Sequence, residues 1–282
     1  MRFDNDLTRM LGVRVPIIQG AFGHAGTASL AAPVSEAGGL GILTSIAYPT
    51  PEAFREDIRR AREMTDKPFA VNFTLWKGHI DNEYHEGTIE VALGEGIKTI
   101  FTSGYDGSYI GRIFKDAGCN WIHKCATIKH AIAMAQRGAD AVVLLGKEGT
   151  GYKHEEQHTT LINITAARRL LDLPLIAAGG IGDARGFVAA LAMGASAVYM
   201  GTAFMATREF QAPEEFKAKI VEQEITDPEN TRKIYDMKHG LAPSLASGVI
   251  DSVPSVREFI ETMIKEAEGI IAEFKQWGML ES

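Results

Sequence analysis

Short apolar runs recur along this chain, with polar, helix-like segments between them. Eight of these runs are almost continuously hydrophobic instead of alternating with polar residues. Strands that are buried on both faces, as in a parallel sheet, show this pattern. The runs cover residues 15–20, 39–45, 68–74, 97–104, 120–126, 139–146, 173–180 and 195–202. We therefore predict eight parallel strands.

The segments between these runs carry helix signals. In residues 50–65, Thr50 is placed as an N-cap and Pro51 as the first helical residue. Most of the other segments end in a glycine, which is common just after a helix. Eight strand-helix alternations in one chain indicate a (β/α)8 barrel, and a doubly wound open sheet is the alternative.

The pattern changes after residue 202. We predict that residues 203–282 form a mainly helical extension within a single domain that covers residues 1–282. Its last helix should begin with a capping box, in which Ser255 and Glu258 satisfy each other's backbone groups. The apolar residues of that helix share one face. They are Val256, Phe259, Ile260, Met263, Ile264, Ala267, Ile270, Ile271, Phe274 and Trp277. This face is expected to dock on the barrel, and packing across a homodimer is the alternative.

Composition narrows the class of partner. The net charge of −7 and the absence of a basic run argue against nucleic-acid binding, so a small-molecule partner is expected. Cys119 and Cys125 match no zinc spacing, and no metal site is predicted. The N-terminal residues lack the apolar core of a signal peptide, and no segment is long enough to span a membrane. A cytoplasmic location is the expectation.

Glycines concentrate where the predicted strands end, the face that carries the chemistry in barrels of this class. After the seventh and eighth strands come Gly179 and Gly180, then Gly201 and Thr202. Loops at these two positions often bind phosphate through backbone N–H groups, and glycine lets the backbone approach closely. The alternative is that these glycines only shape tight turns.

Four stretches together resemble a known family. They are residues 17–43, 68–73, 138–151 and 173–204. They look like the nitronate monooxygenase (2-nitropropane dioxygenase) family, whose relatives include flavin-dependent enoyl-ACP reductases and NADH:quinone reductases. The resemblance covers roughly residues 10–210. It implies a barrel that binds FMN and oxidises alkyl nitronates with O₂.

The resemblance also implies positions around the flavin. It places Gly20, Ala21 and Phe22 against the flavin ring, and Asn72 and Lys124 near its polar edge. Gly179, Gly180, Gly201 and Thr202 are expected to bind its phosphate. Gly146 and Gly151 are expected in the wall of the same pocket. Lys124 has a physical reason as well, because a cation near the ring stabilises the anionic reduced cofactor.

The loop after the sixth strand, residues 146–158, departs from the family pattern. The family typically reads EAGGH there, and its histidine is the proposed base that deprotonates neutral nitroalkanes. This chain reads EGTGY, so Tyr152 stands in the place of that histidine. A phenol with a pKa of about 10 is a poor base near neutral pH and a good hydrogen-bond donor. His154 or His158 could substitute as the base.

Two activities need no such base. One is oxidation of a nitronate that is already anionic. The other is transfer of a hydride from NAD(P)H through FMN to a quinone or an enoyl thioester, with Tyr152 stabilising the developing oxyanion.

Two alternatives lie outside flavin chemistry. The letters HEEQH at residues 154–158 match a zinc hydrolase motif, but that motif requires a helix and a third ligand. A solvated loop or lid is the preferred interpretation of residues 153–157. A barrel that binds a phosphate ligand without catalysis is the other alternative.

Overall fold

The fold is an eight-stranded parallel barrel, seen in a computed structural model that describes residues 3–76, 83–237 and 242–279. The strands, in chain order, are β1 (Ile17–Gln19), β2 (Gly41–Thr44), β3 (Phe69–Leu75), β4 (Thr99–Gly104), β5 (Asn120–Cys125), β6 (Ala141–Leu145), β7 (Leu175–Ala178) and β8 (Ala197–Met200). Seven of them lie inside the predicted runs, and β3 extends one residue beyond its run, to Leu75.

All strand pairs are parallel, and the order is β1–β8–β7–β6–β5–β4–β3–β2. A parallel bridge between Ile18 and Leu40 brings the two ends of the sheet together. The sheet is therefore a nearly closed barrel, and the open-sheet alternative is wrong.

Helices surround the barrel. Within the described ranges they are α1 (Asp6–Leu11), α2 (Ala28–Glu36), α3 (Pro51–Met64), α4 (Glu83–Gly94), α5 (Ser108–Asp116), α6 (Ile128–Gln136), α7 (Thr160–Ala167), α8 (Ala184–Ala192), α9 (Thr202–Met205), α10 (Glu214–Val221), α11 (Pro228–Asp236) and α12 (Val256–Gln276). The predicted start of α3 is confirmed, because Thr50 caps it by accepting a hydrogen bond from the Ala53 N–H at 3.2 Å. No helix in the described part of the chain is long and apolar enough to cross a membrane.

The core has two layers, one inside the barrel and one between the strands and the helices. Strand β5 shows how the alternation of side chains divides them. Ile122 packs inside the barrel, whereas Trp121 and Cys125 pack in the outer layer. By the same alternation, Lys124 faces the barrel interior and His123 faces the helices.

The last helix, α12, docks on the barrel as predicted. Ser255 and Glu258 form the expected capping box. Val256, Ile260, Met263, Ala267 and Ile270 are buried, and the helix packs against α8 and α2. The buried face is narrower than predicted, because Trp277 at the end of the helix is 65% exposed. Helices and turns occupy the described residues that follow β8.

The docking of α12 predicts that two side-chain truncations on this helix differ in their effect on the free energy of unfolding. Ile260→Ala should lower the free energy of unfolding by about 2–5 kcal/mol, because it opens a cavity at a fully buried position. Trp277→Ala on the same helix should change it by no more than about 0.5 kcal/mol. Urea unfolding of the two variants measures both values, and equal effects would contradict the docking.

Candidate active site

A glycine-lined cleft opens where β1, β7 and β8 end. It brings together nine of the residues predicted to contact the cofactor: Gly20, Ala21, Phe22, Lys124, Gly151, Gly179, Gly180, Gly201 and Thr202. They come from five separate parts of the chain. We call this site the glycine cleft.

At two positions in the cleft, the backbone conformation requires glycine. Gly179 has a φ of +98° and Gly180 a φ of +75°, values that other residues rarely adopt. A Cβ on Gly179 would also lie 2.9 Å from the carbonyl oxygen of Gly146. Gly146 thus lies directly behind the cleft and supports it, and is not among the residues that line it.

Backbone donors in the cleft are free to bind an anion. Among the described residues, the N–H groups of Gly179, Gly180 and Gly201 have no hydrogen-bond acceptor. These glycines are half-buried, and unpaired N–H groups that line one cleft can donate hydrogen bonds to an anion. A phosphate group fits this donor set.

Ser244 completes this part of the cleft, and the sequence analysis missed it. Its hydroxyl lies 2.7 Å from the Thr202 hydroxyl, and its N–H donates to Thr202 Oγ1 at 2.9 Å. The segment that carries Ser244 is held against the loop after β6 by two hydrogen bonds. The Thr150 hydroxyl donates to the Ala242 carbonyl at 2.8 Å, and the Leu245 N–H donates to the Glu148 carbonyl at 3.1 Å.

Tyr199 is a second residue that the sequence analysis missed. It lines the cleft from β8, and its hydroxyl accepts a hydrogen bond from the Ala21 N–H at 2.5 Å. Burial raises the pKa of this phenol, so it stays protonated. It fixes the backbone at the position expected to face the flavin ring.

A second cavity, of about 420 Å³, lies beside the cleft. We call it the outer cavity. The β4–α5 loop, the end of β5, helix α6 and residues 152–154 line it, so Tyr152 and His154 face it. Tyr152 is 36% exposed, and partial burial raises the pKa of its phenol. It is therefore a hydrogen-bond donor at neutral pH and no base.

Lys124 is the residue that the two spaces share, because it belongs to the lining of both the cleft and the outer cavity. No carboxylate or other hydrogen-bond partner for its amine is found in the described residues. Burial lowers the pKa of this amine from 10.5 to about 8, so it is still mostly protonated at pH 7. An unpaired, half-buried cation next to free backbone donors fits an anionic ligand.

Asn72 lies on β3 and lines neither cavity. Its amide nitrogen donates to Thr74 Oγ1 at 2.9 Å, while its buried Oδ1 has no partner among the described residues. The buried hydroxyl of Thr44, on the neighbouring strand β2, also has none. These two unsatisfied atoms are consistent with a polar ligand edge nearby.

His154 is held by its own turn. Its Nδ1 accepts a hydrogen bond from the Glu156 N–H at 3.1 Å, and its ring packs edge-on against His130, 5.2 Å between centroids. Residues 154–158 form turns and no helix, so the geometry that the HEEQH zinc motif requires is not present.

The expectation of a solvated loop at residues 153–157 is partly wrong. Gln157 is buried, and its amide donates to the Leu145 carbonyl at 2.5 Å. The Lys153 amine donates to the carbonyls of Lys147 and Ile234. These side chains satisfy backbone acceptors that would otherwise be left unpaired, so they tie the loop down. Glu155 and Glu156 are exposed as expected.

Comparison with known proteins agrees with this geometry. The model of the nitronate monooxygenase family matches residues 4–253. A dehydrogenase from Rhodococcus jostii that acts on a hydroxy-methyl-oxo-octahydroindene carboxyl-CoA is 34% identical over 83% of this chain and 64% of its own length. The chain thus spans less than two thirds of that relative. A probable nitronate monooxygenase from Bacillus subtilis is 31% identical over 80% of this chain and 76% of its own.

Among solved structures, FabK from Thermotoga maritima superposes with a TM-score of 0.85 at 30% identity. The superposition covers 97% of this chain and 99% of FabK.

The unpaired amine of Lys124 predicts an unusual stability effect. Flavin-free Lys124→Met should melt at a higher temperature than the wild type at pH 7, because it removes a partly desolvated charge that has no partner among the described residues. Above about pH 8 the folded wild type loses this proton while the unfolded chain keeps it up to about pH 10.5. The wild type then gains stability with rising pH, and the difference should shrink.

Thermal unfolding at several pH values measures this effect. Lys129→Met, at an exposed lysine on α6, serves as the matched control and should show no such trend. A Lys124→Met protein less stable than the wild type at pH 7 would contradict the account.

Proposed function

The chain belongs to the nitronate monooxygenase family, and from that premise we propose that it is an FMN-dependent oxidoreductase that oxidises small anionic nitronates with O₂. The observation that carries this proposal is the unpaired Lys124 amine, placed between a phosphate-sized set of free backbone donors and a substrate-sized cavity.

The residues present fit FMN. Gly179, Gly180, Gly201 and Thr202 would hold its phosphate, with Ser244 supporting Thr202. Ala21 and Phe22 would face its ring, and Lys124 would lie at the ring's polar edge. Bound FMN would supply the one- and two-electron redox chemistry of the reaction.

The protein's own contribution is mainly electrostatic. The Lys124 ammonium attracts an anionic substrate into the outer cavity and stabilises negative charge on the ring side. Tyr152 donates a hydrogen bond to the substrate but does not remove a proton from carbon, because burial keeps its phenol protonated. The substrate must therefore enter as a nitronate, with its carbon acid already ionised.

A second function has a specific observation in its favour. The outer cavity, at about 420 Å³, has the size of pockets for drug-sized ligands and is larger than a short alkyl nitronate needs. The Rhodococcus relative is a dehydrogenase of a CoA thioester. The alternative is therefore hydride transfer between NAD(P)H or an acyl thioester and FMN, with Lys124 and Tyr152 stabilising the thioester oxyanion.

An anaerobic mixing experiment separates the two functions. We expect the purified protein to be yellow, and its flavin band to bleach rapidly with an alkyl nitronate and slowly with NADH. Rapid bleaching by NADH or by a CoA thioester, with no response to nitronate, would establish the alternative. A colourless protein that retains zinc and no flavin would contradict both.

Substitution at the unusual loop position tests the argument about the missing base. Tyr152→His should confer activity on neutral nitroalkanes, because an imidazole can accept a carbon-bound proton near neutral pH. Tyr152→Phe should lower kcat/KM with nitronate by roughly tenfold, through loss of one hydrogen bond to a charged oxygen. Steady-state oxygen consumption measures both, and no change in either variant would place Tyr152 away from the reacting atoms.

A further inference from the structure

Three side chains behind the wall of the outer cavity form a buried hydrogen-bonded chain that the proposed function does not use. The Trp121 indole N–H donates to Thr102 Oγ1 at 2.7 Å. The same oxygen lies 2.7 Å from Nδ1 of His123. Trp121 and Thr102 are fully buried and His123 is 3% exposed, so water does not compete for these groups.

The direction of the second hydrogen bond follows from the available donors. An indole N–H can only donate, so Thr102 Oγ1 accepts from Trp121. The hydroxyl proton of Thr102 then needs an acceptor, and among the described residues Nδ1 of His123 is the one within reach. Nδ1 therefore accepts, and the proton of the neutral imidazole is on Nε2.

Two glycines at the start of helix α5 leave room for these three hydrogen-bonded side chains. A Cβ on Gly107 would lie 2.3 Å from Thr102 Oγ1 and 2.8 Å from His123 Nδ1. A Cβ on Gly111, one turn later, would lie 2.2 Å from the Trp121 ring. Any larger residue at either position would displace the hydrogen-bonded groups, so the close approach of α5 depends on both glycines.

The other nitrogen of His123 is available to a ligand. His123 lines the outer cavity together with Lys124 and Tyr152, and its Nε2 has no partner in the described part of the protein. The charged or titratable groups around it are Lys124 on its own strand, Asp106 on the β4–α5 loop, and His130 and Arg137 on α6. Asp106 is paired with Arg137 at 3.0 Å.

Burial lowers the pKa of His123 to about 4, and this effect outweighs the Asp106 carboxylate, which acts in the opposite direction. The neighbouring cations lower this pKa further. The imidazole is therefore neutral throughout the physiological range. A neutral imidazole with a fixed N–H can donate a hydrogen bond without giving up its proton.

We propose that His123 is a further catalytic residue, whose Nε2–H donates a hydrogen bond to the substrate oxygen that bears negative charge in the outer cavity. His123, Lys124 and Tyr152 then form a three-donor site for a nitronate or thioester oxyanion. This inference rests on the proposed function of the same cavity. No proton is transferred and no covalent bond is made at His123, because its role is charge stabilisation by a preorganised donor.

The first test needs no turnover. In ¹⁵N-histidine-labelled protein, NMR should show His123 as the Nε2–H tautomer, unchanged between about pH 6 and pH 8. Thr102→Val should mix the two tautomers, and Thr102→Ser should restore the wild-type spectrum. A protonated His123 near pH 6.5, or an Nδ1–H tautomer in the wild type, would overturn the inference.

The second test uses kinetics of the flavin-loaded enzyme. His123→Phe should lower kcat/KM by about a hundredfold, as expected for loss of an oxyanion donor, with flavin content unchanged. His123→Gln places an amide N–H close to the position of Nε2 and should retain activity within about tenfold. If His123→Phe turns over normally, the inference is wrong while the proposed function stands. If the wild type retains flavin but turns over neither nitronate nor thioester, the proposed function fails, and the donor role of His123 fails with it.

Discussion

The partial burial of Lys124, whose amine has no counter-charge among the described residues, is the constraint on which the rest of the site depends. The end of β5 carries this amine to the junction of two spaces, one lined by glycines and free backbone donors, the other by titratable side chains. An ion in this position destabilises the fold until an anion approaches it. Binding of a negatively charged ligand should therefore remove this destabilisation and add to the binding free energy.

The loop after β6 divides its residues between supporting this site and contacting its ligands. The Glu148 carboxylate accepts a hydrogen bond from the Thr160 N–H at 2.9 Å, and the Thr160 hydroxyl donates to the Gly179 carbonyl at 2.7 Å. These bonds fix the start of α7 against the loop after β6 and the end of β7. Gly146 packs behind Gly179, and Gln157 closes the strand end. Residues 149–151 line the glycine cleft, and residues 152–154 line the outer cavity. A rigid frame around a short functional stretch lets Tyr152 differ from the family histidine without disturbing the cleft.

The barrel could be predicted from the sequence because buried parallel strands and helix caps leave strong local signals. The glycines of the cleft could also be predicted, because the loops after the last two strands of such barrels often bind phosphate. Ser244 and Tyr199 were missed because their roles depend on contacts with distant residues, Thr202 and Ala21. His123 was missed because strand alternation points it toward the helices, and only the packing of α5 and α6 reveals a cavity there. The charged residues at positions 153–157 suggested solvent exposure, whereas tertiary contacts bury Gln157 and hold the Lys153 amine in hydrogen bonds.

The central claim is that the glycine cleft holds one FMN, with its phosphate on the free backbone donors and its ring beside Lys124. Quenching of flavin fluorescence during titration of the flavin-free protein tests this most directly, with FMN and riboflavin compared in parallel. The account predicts saturation at one FMN per chain, and riboflavin, which lacks the phosphate, binding at least about a hundredfold more weakly. Equal affinity for the two flavins, or no quenching by either, would contradict it.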